Sequence, residues 1–462
     1  MPLSAAVEEM IRALGASVVA TGAALPDRRY ADWSGAPGAV PQALLRPRST
    51  DELAQAMRIC HAHGQTVVPQ GGLTGLAGAA CCGPDDVAIS LERMQRIEEL
   101  DPLSSTITVQ AGATLQSVQE AADAAGFLFA LDLGARGTCT IGGNLATNAG
   151  GNRVIGYGSM RDQLLGIEAV LADGSVISGL HKMVKNNTGY DLRHLLTGSE
   201  GTLGIVTRAV LKLRARPAAL STAWCGLAGF DAVTTLLNRA QAGLAGGVTA
   251  FEVMWPSYLD FMLSRVPGLK PPLAGHHGLN VLMESAGADA TAQATSFENF
   301  LGRMLDDGVI EDATVAHSQA DARNLWAVRD ATAELPVLLP GLTSFDVSFA
   351  IGDIGRAALE CDALLRQRWP GCTALVYGHL GDGNLHVIAH VTDGGEQTNR
   401  EIETAVYDLV RRYRGAVSAE HGIGIIKRGV LGHSRSPAEL AAMRAIKDAL
   451  DPKHILNRGK VL

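Results

Sequence analysis

The placement of glycine constrains this chain more than any other feature. Its 462 residues include 53 glycines, above the roughly 7% of an average protein, and many cluster in runs between Gly71 and Gly204. Runs of small residues let the backbone lie close to a ligand. The first is Pro69-Gln70-Gly71-Gly72-Leu73-Thr74-Gly75-Leu76, where consecutive main-chain N–H groups could approach an anion such as a pyrophosphate. Taken alone, an ordinary tight turn explains it as well. A second segment runs Asp132-Leu133-Gly134-Ala135 and then Thr140 to Gly151, with Asn144, Thr147 and Asn148 able to satisfy the heteroatoms of a flat polar ligand. The third joins Asn187-Thr188-Gly189-Tyr190-Asp191 to the stretch Gly198 to Gly204. Three such segments in one domain are hard to explain as turns.

Other signatures narrow the choice. Neither G-x-G-x-x-G nor G-x-x-x-x-G-K-[ST] occurs, which argues against Rossmann-type nicotinamide binding and P-loop chemistry. Lys and Arg number 39 against 47 Asp and Glu, a net charge of −8, so no basic excess exists to track a phosphate backbone, and nucleic acid is not expected as a partner. No apolar stretch approaches the ~18 residues of a membrane span, and Glu8 and Glu9 fall where a signal peptide would be apolar. The expectation is a protein that begins near Met1 and stays in the cytoplasm. The seven cysteines are scattered without a C-x-x-C pair, which argues against disulfides, a cysteine zinc site or an iron–sulfur cluster.

Along the chain, Ser49 and Glu52 have capping-box spacing and introduce a helix over about 50–62 that ends at Gly64. A strand at Thr66-Val67-Val68 then feeds the first glycine loop. Asp173-Gly174 is a two-residue hairpin signal between the strand-like stretches 167–172 and 175–178. Beyond about residue 215 the glycine runs thin out. Helix-like stretches (231–244, 356–368) alternate with strand-like ones (248–254, 279–283, 374–377), which reads as a second α+β domain with its boundary at Arg214 to Pro217.

In this second part, Gly378-His379-Leu380-Gly381-Asp382-Gly383-Asn384-Leu385-His386 follows a strand, and Glu420-His421 lies downstream. Two histidines seven positions apart on a glycine-rich turn could converge on one ion, with Glu420 completing a His₂Glu set that leaves a position open for substrate. His421 would then stand beside the ion as a general base. Solvated loop histidines are the alternative on spacing alone. His390 and His276-His277 read as solvated.

The order PQGG-TG, IGGN-ATNAGG, NTGYDL and GSEGTLGI resembles the flavin-binding half of the vanillyl-alcohol-oxidase type of flavoprotein, and within it the D-2-hydroxyacid dehydrogenase branch, over about Tyr30 to Leu462. The resemblance implies an α+β, two-domain flavoprotein: an FAD-binding domain at 1–215, a substrate or cap domain at 216–418 carrying metal ligands, and a C-terminal segment, 419–462, returning to the FAD domain. Carried over by motif, the FAD contacts are Pro69, Gly71, Gly72, Thr74, Gly75, Gly143, Asn144, Thr147, Gly150, Gly201, Gly204 and Ile205. Leu73 stands where Asn or Gly is usual. No His or Cys suits a covalent flavin link, so non-covalent FAD is expected.

The resemblance also implies Zn²⁺ or a similar divalent ion on His379, His386 and Glu420, with His421 taking the substrate proton. Arg329, in Asn324-Leu325-Trp326-Ala327-Val328-Arg329-Asp330, would hold the substrate carboxylate, since its planar donors suit that group. Asn384 joins Ala333, Ser344 and Ile388 in the expected substrate shell. The last three depart from the D-2-hydroxyglutarate dehydrogenase pattern, which has Thr, Lys and Asn there, and two of them, Ser344 and Ile388, look more like the D-lactate dehydrogenase branch.

The expected function is an FAD-dependent dehydrogenase oxidising a D-lactate-like hydroxy acid with a short or apolar side chain. D-2-hydroxyglutarate dehydrogenase is the alternative, and a zinc-dependent hydrolase the alternative from a different class. An external acceptor is required, with electron-transfer flavoprotein or a quinone implied by the resemblance; a quinone would put the protein at a membrane periphery. A homodimer is compatible with the sequence, which shows no heptad pattern.

Overall fold

A computed structural model describes residues 3–244 and 247–462. The chain folds into two compact units: residues 1–151, 158–216 and 420–462 form the first, and residues 152–157 and 217–419 the second. The C-terminal return begins at Glu420, and a six-residue excursion, 152–157, leaves the first unit for the second.

The first unit holds two main sheets. In one, the strands Val19–Thr21, Ala43–Leu45, Val87–Ser90 and Val67–Gln70 lie in that order, the first pair antiparallel and the rest parallel. The other is antiparallel and orders Ile97–Asp101, Thr106–Gln110, Ile205–Lys212, Leu164–Val170 and Val176–Gly179. The last two strands flank Asp173-Gly174, with Gly174 at φ 80°. The helix Thr50–His63 starts where the Ser49 hydroxyl accepts from the Glu52 N–H at 3.2 Å and stops at Gly64, at φ 67°. Glu52 does not close the box on Ser49. Its carboxylate reaches one residue further, to the N–H of Arg48 at 2.7 Å. One apolar core, from Val7 and Met57 to Ile455 and Leu456, packs both sheets.

The second unit is built on a seven-stranded antiparallel sheet, ordered Asp312–Val315, Ala219–Leu227, Leu279–Gly287, Val248–Met254, Thr373–His379, Asn384–His390 and Thr343–Ser348. Its central strands are buried on both faces, which is why they read as near-continuous apolar runs. The helices Phe230–Gly243, Gln319–Asp330 and Ile351–Arg368 are among those of this unit. The 152–157 excursion docks through Arg153, which bonds to Glu284, a buried carboxylate also bound by Thr249 and Thr222. His277, expected to be solvated, is held by Glu311 at 2.8 Å and packs on the bare backbone of Gly226, where a Cβ would fall 2.3 Å from its ring. Among the described residues no helix is long and apolar enough to cross a membrane.

Candidate functional site

In the first unit the glycine segments converge on one cleft with a cavity volume of about 360 Å³. The space is walled by main chain from all three glycine-rich segments, the surface a closely held polar ligand needs. Every FAD contact expected from the sequence lines it except Gly72. A Cβ on Gly72 would stand 2.0 Å from the Thr138 carbonyl oxygen, so this glycine serves the approach of two backbone segments to one another. An added Cβ would also fall 2.6 Å from the Thr140 hydroxyl at Gly71 and 2.8 Å from the Ala111 methyl at Gly142. Much of the glycine content thus lets chain pack on chain, which also shapes the cleft wall. At Gly134, by contrast, a Cβ would meet nothing within 4 Å, leaving bare backbone at the cleft, as a closely held flat ligand needs.

Within these segments, Ile141–Thr147 is a short helix, because the Thr140 hydroxyl accepts from the Gly143 N–H at 3.2 Å and Asn148, at φ 50°, ends it. One feature differs from the sequence expectation. The Asn187 to Asp191 half of the third segment is exposed and lines no part of the cleft, with Tyr190 98% exposed. Its polar residues solvate a surface loop.

Glu420 and His421 line the same cleft. The Glu420 carboxylate accepts from the Gly151 N–H at 2.8 Å. Beyond them the turn is held by Glu200, a buried residue at φ 51° whose two oxygens accept from the N–H groups of Ile423 (2.7 Å) and Gly424 (2.9 Å). Burial raises the Glu200 carboxyl, and these two bonds oppose it. Asn457 donates to the Glu200 carbonyl at 2.6 Å. Asp32, 1% exposed, also lines the cleft, and its carboxylate accepts from Ser34 and from the Ala80 N–H. Sequence reading missed Glu200, Asp32 and Asn457, since each is one polar residue whose contacts at the cleft come from distant parts of the chain.

In the second unit, His379 ends one strand and His386 lies on the next, joined by the turn Leu380–Asp382 with Gly383 at φ 84°. Antiparallel pairing, with Tyr377 opposite His386, brings the two imidazoles edge to face at 5.2 Å between ring centres. Both are buried, so they are not solvated loop histidines. Arg329, at the end of the helix Gln319–Asp330 and also buried, lies over the Tyr377 ring. The Tyr258 hydroxyl donates to the Val328 and Arg329 carbonyls at 3.0 Å, pinning that helix end.

A residue not singled out in the sequence joins these groups. Glu252, 1% exposed on the strand Val248–Met254, meets the Nδ1 of His379 at 2.6 Å through Oε1 and accepts from Nε of Arg329 at 2.7 Å through Oε2. Nη2 of Arg329 lies 3.2 Å from Nε2 of His379. Burial alone would raise the Glu252 carboxyl, but His379 and Arg329 outweigh it and hold it below its ordinary value. The only sequence signal was a charge inside an apolar strand.

Asn384 is 2% exposed, and neither atom of its side-chain amide has a hydrogen-bond partner among the described residues. Leaving such a group unpaired costs about 1–3 kcal/mol, so a ligand is its natural partner. Strand alternation puts Asn384, His386 and Ile388 on one face. Two buried histidines, one with its Nδ1 against a carboxylate, beside an unpaired amide suit a divalent ion and an oxygen-rich ligand. Ile388 instead packs into an apolar cluster with Leu335, Leu339 and Tyr377, while Ala333 and Ser344 are exposed.

Residues 41–179 match the FAD binding domain family and residues 216–461 the C-terminal domain family of FAD linked oxidases. The chain is 38% identical over 434 residues to the mitochondrial D-2-hydroxyglutarate dehydrogenase of Bos taurus, covering 93% of this chain and 78% of that one. It is 35% identical over 419 residues to the mitochondrial D-2-hydroxyglutarate dehydrogenase of Arabidopsis thaliana, with coverages of 91% and 74%. Among solved structures, p-cresol methylhydroxylase with substrate bound superposes with a TM-score of 0.76 at 16% identity, covering 99% of this chain and 96% of that one, a likeness of fold.

Proposed function

Because this chain belongs to the FAD-linked oxidases, and is an FAD-dependent oxidoreductase acting on a CH–OH donor, we propose that it oxidises D-2-hydroxyglutarate to the 2-oxo acid. The reading is carried by the agreement between the substrate named for its relatives and the buried Arg329–His379–His386 group, whose chemistry suits a carboxylate next to a hydroxyl. When bound, FAD supplies a two-electron acceptor and a divalent ion a Lewis acid that lowers the hydroxyl pKa.

The chain's own residues supply the rest. Cleft backbone and the side chains of Asn144 and Thr147 hold the flavin nucleotide without a covalent link. His379 and His386 are the ion's ligands from the second unit, and Glu420 is the third expected from the sequence. Arg329 grips the substrate carboxylate with the N–H groups that Glu252 does not occupy. Asn384 gains a partner in a substrate oxygen. His421 takes the hydroxyl proton on a ring nitrogen. Electron-transfer flavoprotein or a quinone completes turnover, and a cytoplasmic location belongs to the same proposal.

A second reading, a substrate with a short or apolar side chain such as D-lactate, is favoured by Ile388, an apolar residue on the strand face of Asn384 and His386 where the hydroxyglutarate pattern has Asn. A carboxylate buried beside Ile388 without a partner would cost several kcal/mol. Measuring kcat/KM for both acids with an artificial dye as acceptor separates the two. The proposal expects D-2-hydroxyglutarate to win at least tenfold, a margin worth about 1.4 kcal/mol. A preference for D-lactate would transfer the assignment to the second reading. The zinc-hydrolase alternative leaves the glycine-lined cleft and the FAD binding domain without a role.

A further inference from the structure

Glu252, His379 and Arg329 form a closed ring of contacts inside the second unit. The Glu252 carboxylate, paired with the Arg329 guanidinium at 2.7 Å, acts as an acceptor, so the His379 nitrogen facing it at 2.6 Å, Nδ1, carries the proton. A guanidinium can only donate, so the nitrogen facing Arg329 at 3.2 Å, Nε2, offers a lone pair. Two neighbours of opposite hydrogen-bonding character thus select the same tautomer, in which the Nε2 lone pair can accept from Arg329 or bind an ion, one at a time. Strand pairing enforces the arrangement, since Glu252 and His379 are opposite each other in adjacent antiparallel strands. The second carboxylate oxygen holds Nε of Arg329 at 2.7 Å and leaves the guanidinium's outer edge to other acceptors.

We propose that Glu252 is a positioning residue for this site: one buried carboxylate sets both the tautomer of the metal-ligand candidate His379 and the aim of the carboxylate clamp Arg329. The inference rests on the reading above, in which His379 binds an ion and Arg329 the substrate. It carries a further consequence. Glu252 neutralises Arg329 internally, so the attraction for an anionic substrate comes chiefly from the ion, and the guanidinium contributes direction.

The test compares wild type with Glu252→Gln, in which one of the two accepting oxygens becomes a donor. Zn²⁺ affinity is measured by competition with a chromophoric chelator, alongside kcat and KM. The expected result is Zn²⁺ affinity lower by about 10–100-fold, the usual effect of removing the partner of a ligating histidine, together with a raised KM and an unchanged FAD-to-protein ratio. Should Glu252→Gln fold poorly, the charge-balanced pair Glu252→Gln with Arg329→Met replaces it. Its Zn²⁺ affinity should then fall relative to Arg329→Met alone. Weakened thermal stability with wild-type Zn²⁺ affinity and KM would reduce Glu252 to a structural role and overturn the proposal. A wild-type protein that takes up no Zn²⁺ would instead overturn the metal reading on which it rests.

Discussion

Leu73 sits in the cleft loop at φ 58°, a left-handed conformation that Asn and Gly adopt readily and a Cβ-bearing apolar residue does not. That explains why the expected residue there is Asn or Gly. Strain of this kind costs about 1–3 kcal/mol and is found at ligand sites. Leu73→Asn should therefore raise the melting temperature of the FAD-free protein; a lower one would mean that the leucine side chain contributes packing that outweighs the strain. In the proposed reaction, proton removal also falls to one residue. Replacing His421 by Ala should slow flavin reduction on the order of 10²–10⁴-fold in stopped-flow measurements while FAD stays bound. Reduction at the wild-type rate would move the proton-accepting role to another group.

At the scale of elements, the turn that carries Glu420 and His421 depends on Glu200. Its two oxygens hold successive N–H groups of that turn, and a Cβ on Gly422 would strike the same carboxylate at 2.8 Å. Glu200→Gln keeps the shape but leaves an amide facing an N–H, so the turn should loosen. We expect kcat to fall about tenfold, less than for His421→Ala, with the FAD-to-protein ratio within twofold of wild type. An unaltered kcat would show that Gly151, which binds Glu420, suffices to hold the turn. What the sequence revealed follows the same division. The helix Thr50–His63 was legible because its signals, Ser49 and Gly64, adjoin it. The histidine hairpin was legible because its residues lie within eight positions. Glu200 and Glu252 were not, since their partners stand 223 and up to 127 residues away and no local pattern announces a long-range hydrogen bond. The 152–157 excursion was hidden for the same reason, since its anchor on Glu284 lies 131 residues on.

For the molecule as a whole, the decisive fact is that the first unit is discontinuous and is closed by its last residues. The strand that leads into the first glycine loop begins at Val67, whose N–H donates to Ile455 at 2.9 Å and whose carbonyl accepts from Asn457 at 3.0 Å. Lys447 locks this return: its Nζ donates to the Thr202 and Leu456 carbonyls at 2.7 and 2.9 Å and to Asp451, which is fully buried. Burial lowers the Lys447 pKa, and the pairing with Asp451 opposes that. Replacing Lys447 by Met keeps the volume but takes the cation from Asp451, leaving its charge to the Ile455 and Leu456 N–H groups, and removes the donor to two carbonyls. Breaking a buried pair in this way costs about 3–5 kcal/mol. Because Thr202 lies beside the cleft residue Gly201 and Leu456 beside Asn457, the loss should reach the cofactor site, although Lys447 does not line it. The purified Lys447→Met protein should melt several degrees lower and carry less FAD per chain, measured as the ratio of flavin to protein absorbance. A double variant that also replaces Asp451 by Asn removes the stranded charge and should recover part of both. If Lys447→Met kept full FAD and stability, the first unit would be closed by its apolar core alone, and the C-terminal return would serve only to carry Glu420 and His421 to the cleft.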